Sequence, residues 1–365
     1  MYISAFDKVS FVCYHIKLLK RLFGTFPILE VSMKKYNVAV VGATGMVGNK
    51  FLEVLAERNL PVENYYLYAS AKSAGKVIDF MGKPHTVIEL TKENVVNKKI
   101  DIALFSAGAS VSKEFAPIFA SIGATVVDNS SCWRMDENVP LVVPEVNPED
   151  VRWNKGIIAN PNCSTIQAMV ALKPLHDKYT IKRVVYSTYQ AVSGAGVQGY
   201  NDLKDGINGV PPKKFNHQIF ANCLPQIDVF CDNHYTKEEM KMVNETRKIL
   251  HAPDMRITAT TVRVPVFHGH SESINIEFEK PCDLKGVFEC LENAPGLVVI
   301  DDIENCKYPM PVDIENTDPV YVGRIRIDDS VDSGVNIWCV ADNIRKGAAT
   351  NTVQIAELLI KENLV

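Results

Sequence analysis

The chain of 365 residues has no Cys-x-x-Cys pair among its nine cysteines, no long run of one charge sign, and no internal repeat or low-complexity tract. Each absence excludes something. Irregularly spaced cysteines, odd in number, build neither a disulfide framework nor a structural zinc site; they fit a reducing compartment, so the cytoplasm is expected. A net charge of −4 with 22% charged residues lacks the electrostatic footprint of a nucleic-acid binder. No apolar stretch reaches the roughly 18 unbroken residues that a membrane span needs, and this includes the apolar, basic opening MYISAFDKVSFVCYHIKLLKRLFGTFPILEVS. In that opening Lys17, Lys20 and Arg21 follow the apolar stretch rather than precede it, which is the wrong order for a signal peptide. Residues 1–32 are expected to be a disordered extension or to lie upstream of the native start, with Met33 opening the first domain.

From Met33 onward short β-branched runs alternate with segments of helical period: NVAVVG, MVGNKFLEVLAER, YYLYAS, DIALFSA, a helix around Lys113 to Ser121, and ATVVDNS. The alternation predicts a parallel sheet with crossover helices, a Rossmann-type dinucleotide-binding domain over residues 33–160. Beyond it a helix leads into long strands, IKRVVYSTYQAV, RITATTVRVPV, HSESINIEFEK, VYVGRIRID and GVNIWCVADN. They predict an α+β domain over 161–342 built on a large mixed sheet with one face free for another surface. The final segment, 343–365, reads as a helix packing back on the first domain, and NDLKDGINGVPPKK reads as a loop.

VVGATGMVG sets Gly42, Gly45 and Gly48 between a strand and a helix, where the backbone approaches a pyrophosphate and a helix start receives its charge. The bland alternative is a tight turn packed closely with no ligand. At the end of the second strand, where an NAD enzyme carries an acid for the ribose hydroxyls, there is none. YASAKSAGK offers Ser70, Lys72 and Ser73 instead, a cation and two hydroxyls suited to the 2′-phosphate of NADP.

In ANPNCSTIQAMVAL, Cys163 is either one more packed small side chain or a reactive sulfur; it falls where the first turn of a helix starts, and unpaired N–H groups there favour a thiolate, so a lowered pKa is expected. The backbone N–H groups of Cys163 and its neighbours are then candidate oxyanion donors. A nucleophile needs a base, and RVPVFHGHSE supplies His268 and His270, with Glu272 beyond. The same three residues alternate along a strand as zinc ligands can, although no further ligand is signposted. Arg263 in a β-run suits a bidentate grip on a carboxylate, or a surface salt bridge. Glu238 and Lys241 stand three apart on a helix and by themselves make a solvated ion pair of about 0.3 kcal/mol.

Taken in order, GATGMVG, SAKSAGK, SSCWRM, NPNCST, TYQAVSGAG, EEMK and RVPVFHGHSE resemble the aspartate-semialdehyde dehydrogenase family over residues 33–365. The resemblance implies NADPH-dependent reductive dephosphorylation of L-4-aspartyl phosphate to L-aspartate 4-semialdehyde and inorganic phosphate, serving lysine, diaminopimelate, threonine, methionine and isoleucine synthesis. It makes Cys163 the nucleophile that becomes a thioester, His270 the general acid–base and Gln190 the residue that positions the acyl group. Arg263 is implied to hold the substrate α-carboxylate, Glu238 its amino group, Arg134 and Lys241 the phosphate, with Asn162 also on the substrate. The nucleotide is implied to touch Thr44, Met46, Val47, Ser193, Gly194 and Asn343 besides the glycines and the Ser70–Ser73 loop. A homodimer or homotetramer is implied, and no metal. Two departures stand out: the 32-residue extension has no counterpart, and Lys72 stands where relatives often carry arginine. A related acyl-phosphate reductase, such as N-acetylglutamyl-phosphate reductase or a glyceraldehyde-3-phosphate dehydrogenase, is the competing reading. An acetylated amine is expected to leave Glu238 unpaired. A silent paralogue that binds nucleotide and serves assembly is the reading from another class.

Overall fold

The computed structural model describes residues 34–365, and the expectation for residues 1–32 lies outside them. The first half runs β1 (Tyr36–Val41), α1 (Met46–Arg58), β2 (Val62–Ala69), β3 (Val77–Phe80), β4 (Lys83–Thr86), β5 (Ile88–Glu89), α2 (Lys92–Val96), β6 (Ile102–Phe105), α3 (Ala109–Ser121), β7 (Thr125–Asp128) and β8 (Ile157–Ala159). Then come α4 (Cys163–Tyr179), β9 (Ile181–Gln190), α5 (Gly196–Gly206), α6 (Lys237–Ile249), β10 (Arg256–Arg263), β11 (His270–Phe278), α7 (Leu284–Glu292), β12 (Leu297–Val299), β13 (Val320–Ile327), β14 (Gly334–Ala341) and α8 (Asn351–Lys361).

β1 is YNVAVV, and every residue in it is buried, as a central parallel strand covered on both faces must be. Its sheet has the order β5-β2-β1-β6-β7-β8, all parallel. Val38 and Val40 face a cluster with Phe51, Leu55, Val353 and Ile355, while Ala39 and Val41 face one with Phe105 and Phe119. Each large apolar side chain so buried stabilises the fold by about 1.5–3 kcal/mol. The chain steps outward from β1 to β2 and then crosses back to β6, so the sheet reverses its winding beside β1, and a crevice opens at the carboxyl ends of these strands.

The second sheet has the order β10-β9-β11-β14-β13-β12 and is mixed: β10 and β12 run parallel to their neighbours and the other pairs are antiparallel. Alternate residues Val184, Tyr186, Ile274, Ile276, Val335 and Ile337 pack with Ile166, Met169, Val170 and Leu172 of α4 in one core. A helix that starts at the end of the parallel sheet thus lies across the mixed one. α8 adds Val353, Ile355, Ala356 and Leu359 to the core beneath β1, after a π-helical turn over Arg345–Thr350.

The loop expected over NDLKDGINGVPPKK needs correction, because Asn201–Gly206 close α5. Asp202 accepts the N–H groups of Lys213, Lys214 and Phe215 at 2.7–2.9 Å, and Leu203 is buried with Val192 and Ile219. These partners lie too far along the chain for local composition to show them.

Candidate active site

The glycine turn is shaped by what its backbone must approach. A Cβ on Gly42, whose φ is +87°, would stand 2.4 Å from Ser106 O, and one on Gly48 would stand 2.0 Å from Gly42 O. No side chain fits at either position. Gly45, the N-cap of α1, brings no capping side chain. The N–H groups of Met46 and Val47 therefore open the helix without a protein acceptor among the described residues, and both residues line a cavity of about 540 Å³. Thr44 Oγ1 donates to Ser73 Oγ at 3.4 Å, tying the turn to the loop that carries exposed Ser70 and Lys72.

Cys163 reaches the same cavity from the far wall. β8 ends at Ala159, and Asn162 then caps α4 by accepting the N–H groups of Ser164 and Thr165 on Oδ1 at 3.0 and 3.3 Å. This occupies two of the donors expected for an oxyanion and leaves the Cys163 N–H, which has no acceptor among the described residues. The π-helical turn brings Gly347 against Cys163 so closely that a Cβ on Gly347 would stand 2.8 Å from Cys163 Cβ. The thiolate expectation is corrected. Burial and the charge of Glu238 push the Cys163 thiol up to about 12, against the pull of Arg263, Arg134 and the Ser164 N–H. A helix start does not outweigh desolvation and a neighbouring carboxylate.

His270 lies wholly buried at the start of β11. Its Nδ1 accepts the Ala191 N–H at 3.0 Å, which fixes the neutral ring's proton on Nε2; Nε2 has no partner among the described residues. Burial, followed by the Arg263 charge, lowers its pKa to about 3. The resting pair is a thiol and a neutral imidazole. His268 precedes the strand and lies 3.7 Å from Glu315, so the alternation proposed for a metal does not form. Among the described residues no group of three His, Cys, Asp or Glu side chains is placed to hold one.

The polar residues singled out in the sequence meet around Glu238. Asn162 Nδ2, Gln190 Nε2 and Lys241 Nζ donate to its carboxylate at 2.9, 3.0 and 2.9 Å. Burial works to raise its pKa, but Lys241 and these hydrogen bonds prevail and hold it at about 2. The pair read from sequence as solvated is therefore a buried one. Glu238 also has its charge matched before any substrate arrives, so an acetylated amine would not strand it. Lys241 further donates to Asp228 at 3.0 Å. Arg263, 5% exposed, gives Nη1 to Ala191 O at 2.7 Å and faces no carboxylate partner among the described residues. Arg134 bonds Glu245 at 3.1 Å and Asn129 O at 3.0 Å. Ser193 and Asn343 hydrogen-bond each other, and Asn343 also accepts the Gly269 N–H at 3.0 Å. Gly194 packs where a Cβ would meet Arg263 Nη1 at 2.9 Å and the His270 ring at 3.2 Å.

Sequence reasoning missed Glu245, Asp228, Ala191 and Gly347. Glu245 was readable only as one more polar residue on α6, and nothing local marks the others.

A parallel nucleotide-type sheet whose glycine turn shares a cavity with a cysteine, a histidine and an arginine suits a nucleotide-dependent dehydrogenase that works through a cysteine. The chain matches the family models "Semialdehyde dehydrogenase, NAD binding domain" over residues 37–153 and "Semialdehyde dehydrogenase, dimerisation domain" over residues 172–346. It is 60% identical over 339 residues to the aspartate-semialdehyde dehydrogenase of Aquifex aeolicus (strain VF5), covering 90% of this chain and 99% of the relative. A crystal structure of aspartate semialdehyde dehydrogenase II from Vibrio cholerae, complexed with ASA, superposes with a TM-score of 0.85 at 48% identity, over 90% of this chain and 99% of that one. The Candida albicans enzyme with NADP gives a TM-score of 0.72 at 26% identity, over 91% and 100%. The chain belongs to the aspartate-semialdehyde dehydrogenase family.

Proposed function

We propose that the protein catalyses NADPH-dependent reductive dephosphorylation of L-4-aspartyl phosphate to L-aspartate 4-semialdehyde, in the cytoplasm, as a step of lysine, diaminopimelate, threonine, methionine and isoleucine synthesis. The observation that carries this reading is the convergence of Cys163, His270, Arg263 and the Glu238–Lys241 pair on the cavity that the start of α1 enters. The residues fit NADP: Gly42, Thr44, Gly45, Met46, Val47 and Gly48 would hold the pyrophosphate, Ser70, Lys72 and Ser73 the 2′-phosphate, and Ser193, Gly194 and Asn343 the nicotinamide end. When bound, the cofactor supplies the hydride.

The chain's own groups do the rest. Arg263, which has no carboxylate ion-pair partner among the described residues, grips the α-carboxylate bidentately, and Glu238 shares its charge with the amino group. Gln190, held by Glu238, orients the acyl group, while Lys241 and Arg134 receive the phosphate. Cys163 attacks the acyl carbon and the C–O bond to phosphate breaks. The thiol's proton leaves with the phosphate, whose oxygens are the base that the resting geometry leaves available. Once the thioester is reduced, negative charge on its oxygen is met by the Cys163 N–H and by His270 Nε2–H. Collapse then breaks the C–S bond, releases the aldehyde and lets the sulfur regain a proton. The full acid–base role implied for His270 requires the Ala191 N–H to release Nδ1, so that the ring can carry its proton on either nitrogen.

The outer face of the mixed sheet, where Tyr189 is 40% exposed beside Trp338, supports assembly as a homodimer, within which a tetramer is a further pairing. Among the described residues no helix is long and apolar enough to cross a membrane. The test is a steady-state comparison of aspartate semialdehyde, glyceraldehyde 3-phosphate and N-acetylglutamate semialdehyde with phosphate and each nicotinamide cofactor. Aspartate semialdehyde with NADP is expected to give the highest kcat/KM. Preference for either other aldehyde would overturn the reading.

A further inference from the structure

Two residues beyond His270 on β11, and on the same side of the strand, Glu272 is wholly buried, and neither carboxyl oxygen has a hydrogen-bond partner among the described residues. An ionised carboxylate so placed is costly. Its register partners are Thr188 on β9 and Cys339 on β14, and among the described residues the charge that acts on it is another anion, Glu238. Burial first, and Glu238 second, hold its pKa well above the ordinary carboxylate range.

Gln167 spans the same ground from the nucleophile's helix. It lies one turn after Cys163 and is itself wholly buried. Its Nε2 donates to the backbone oxygen of His270 at 3.3 Å, and its backbone oxygen is 3.7 Å from Cys339 Sγ, opposite Glu272. Its Oε1 is buried with no donor among the described residues, and Ser164 Oγ beside Cys163 likewise has no partner among them. A carboxylic acid has one O–H to give, and Gln167 Oε1 is an acceptor that lacks one. A proton on Glu272 would supply the donor that Gln167 Oε1 lacks, directly or through one enclosed water.

We propose that Glu272 works as a neutral carboxylic acid which, with Gln167, fixes the helix carrying Cys163 against the strand carrying His270. It does not line the cavity that Cys163 and His270 line, and the proposal rests on the reading of those two residues as the reacting pair. It is a positioning residue for that pair.

The experiment uses the full chain and compares Glu272→Gln, an uncharged isostere of the acid, with Glu272→Leu. Glu272→Gln is expected to keep kcat within about twofold, and Glu272→Leu to lose about tenfold or more in kcat, with KM for phosphate unchanged. The infrared difference spectrum of wild type minus Glu272→Gln at neutral pH is expected to show the carbonyl stretch of a protonated carboxyl. The proposal is overturned if that spectrum shows carboxylate bands, if Glu272→Gln is as impaired as Glu272→Leu, or if Glu272→Leu is fully active. Should Glu272→Leu fail to fold, the infrared bands and the Glu272→Gln rate decide alone. Because the infrared signature needs no turnover, its failure is distinct from a failure of the wild-type protein to act on aspartate semialdehyde.

Discussion

Glu245 Oε2 accepts the backbone N–H of Asn162 at 2.7 Å, and Glu245 Oε1 holds Arg134 at 3.1 Å, so one buried carboxylate sets both the start of the helix that carries Cys163 and the arginine proposed to receive phosphate. In Glu245→Gln an amide accepts from one of these donors and must turn its own N–H toward the other. The expected cost is about 1–3 kcal/mol of stability, with a raised KM for phosphate. A thermal melt and phosphate saturation of the oxidative reaction measure the two, and an unchanged KM would separate Arg134 from phosphate.

Gly347→Ala adds a methyl group 2.8 Å from Cys163 Cβ and 3.2 Å from its Cα. Cys163, the proposed nucleophile, has to move, and kcat is expected to fall by about a hundredfold. Gly209→Ala is the control: its φ of +77° makes it strained as well, but a Cβ there meets nothing within 4 Å. Loss of activity in the control, or none in Gly347→Ala, would remove steric contact as the cause.

Acid should act on His270. Burial and Arg263 lower its folded pKa to about 3, whereas an unfolded histidine titrates near about 6.5. Between those values the unfolded chain holds a proton that the native one does not. The stability contribution of the neutral ring is thus fully present above the window and is lost as pH falls through it. His270→Asn lacks the group, so its melting temperature is expected to decline less than that of wild type from about pH 7 to about pH 5. Parallel declines would show that the ring accepts a proton without penalty.

Lys72 is exposed on the loop that Ser73 ties to the glycine turn. Lys72→Glu places an anion where the 2′-phosphate is assigned, and KM for NADPH is expected to rise about tenfold or more while KM for NADH stays close to its wild-type value. Equal changes for both cofactors would move the 2′-phosphate elsewhere.

The parts of this account that were legible in the sequence are those set by neighbours along the chain. The glycine turn, the parallel sheet and the helix beginning at Cys163 follow from φ requirements, residue alternation and capping chemistry within a few positions. The assignments of Gln190, Glu238 and Arg134 came from resemblance, and the structure supplies their contacts. What could not be read are quantities set across the fold. Glu245 meets Asn162 across 83 positions, Gly347 meets Cys163 only through the π-helical turn, and Asp202 turns an expected loop into the end of a helix. The ionisation of Cys163 was read in the wrong direction for the same reason. The helix start is local, but the burial and the Glu238 carboxylate that outweigh it are not.

The proposed chemistry turns on the sulfur of Cys163 carrying the acyl group. Its most direct test is the rate of phosphate-dependent NADP reduction with aspartate semialdehyde, wild type against Cys163→Ala, with folding of the variant checked by its melt. A loss of more than about a thousandfold is expected. Equal rates would contradict it.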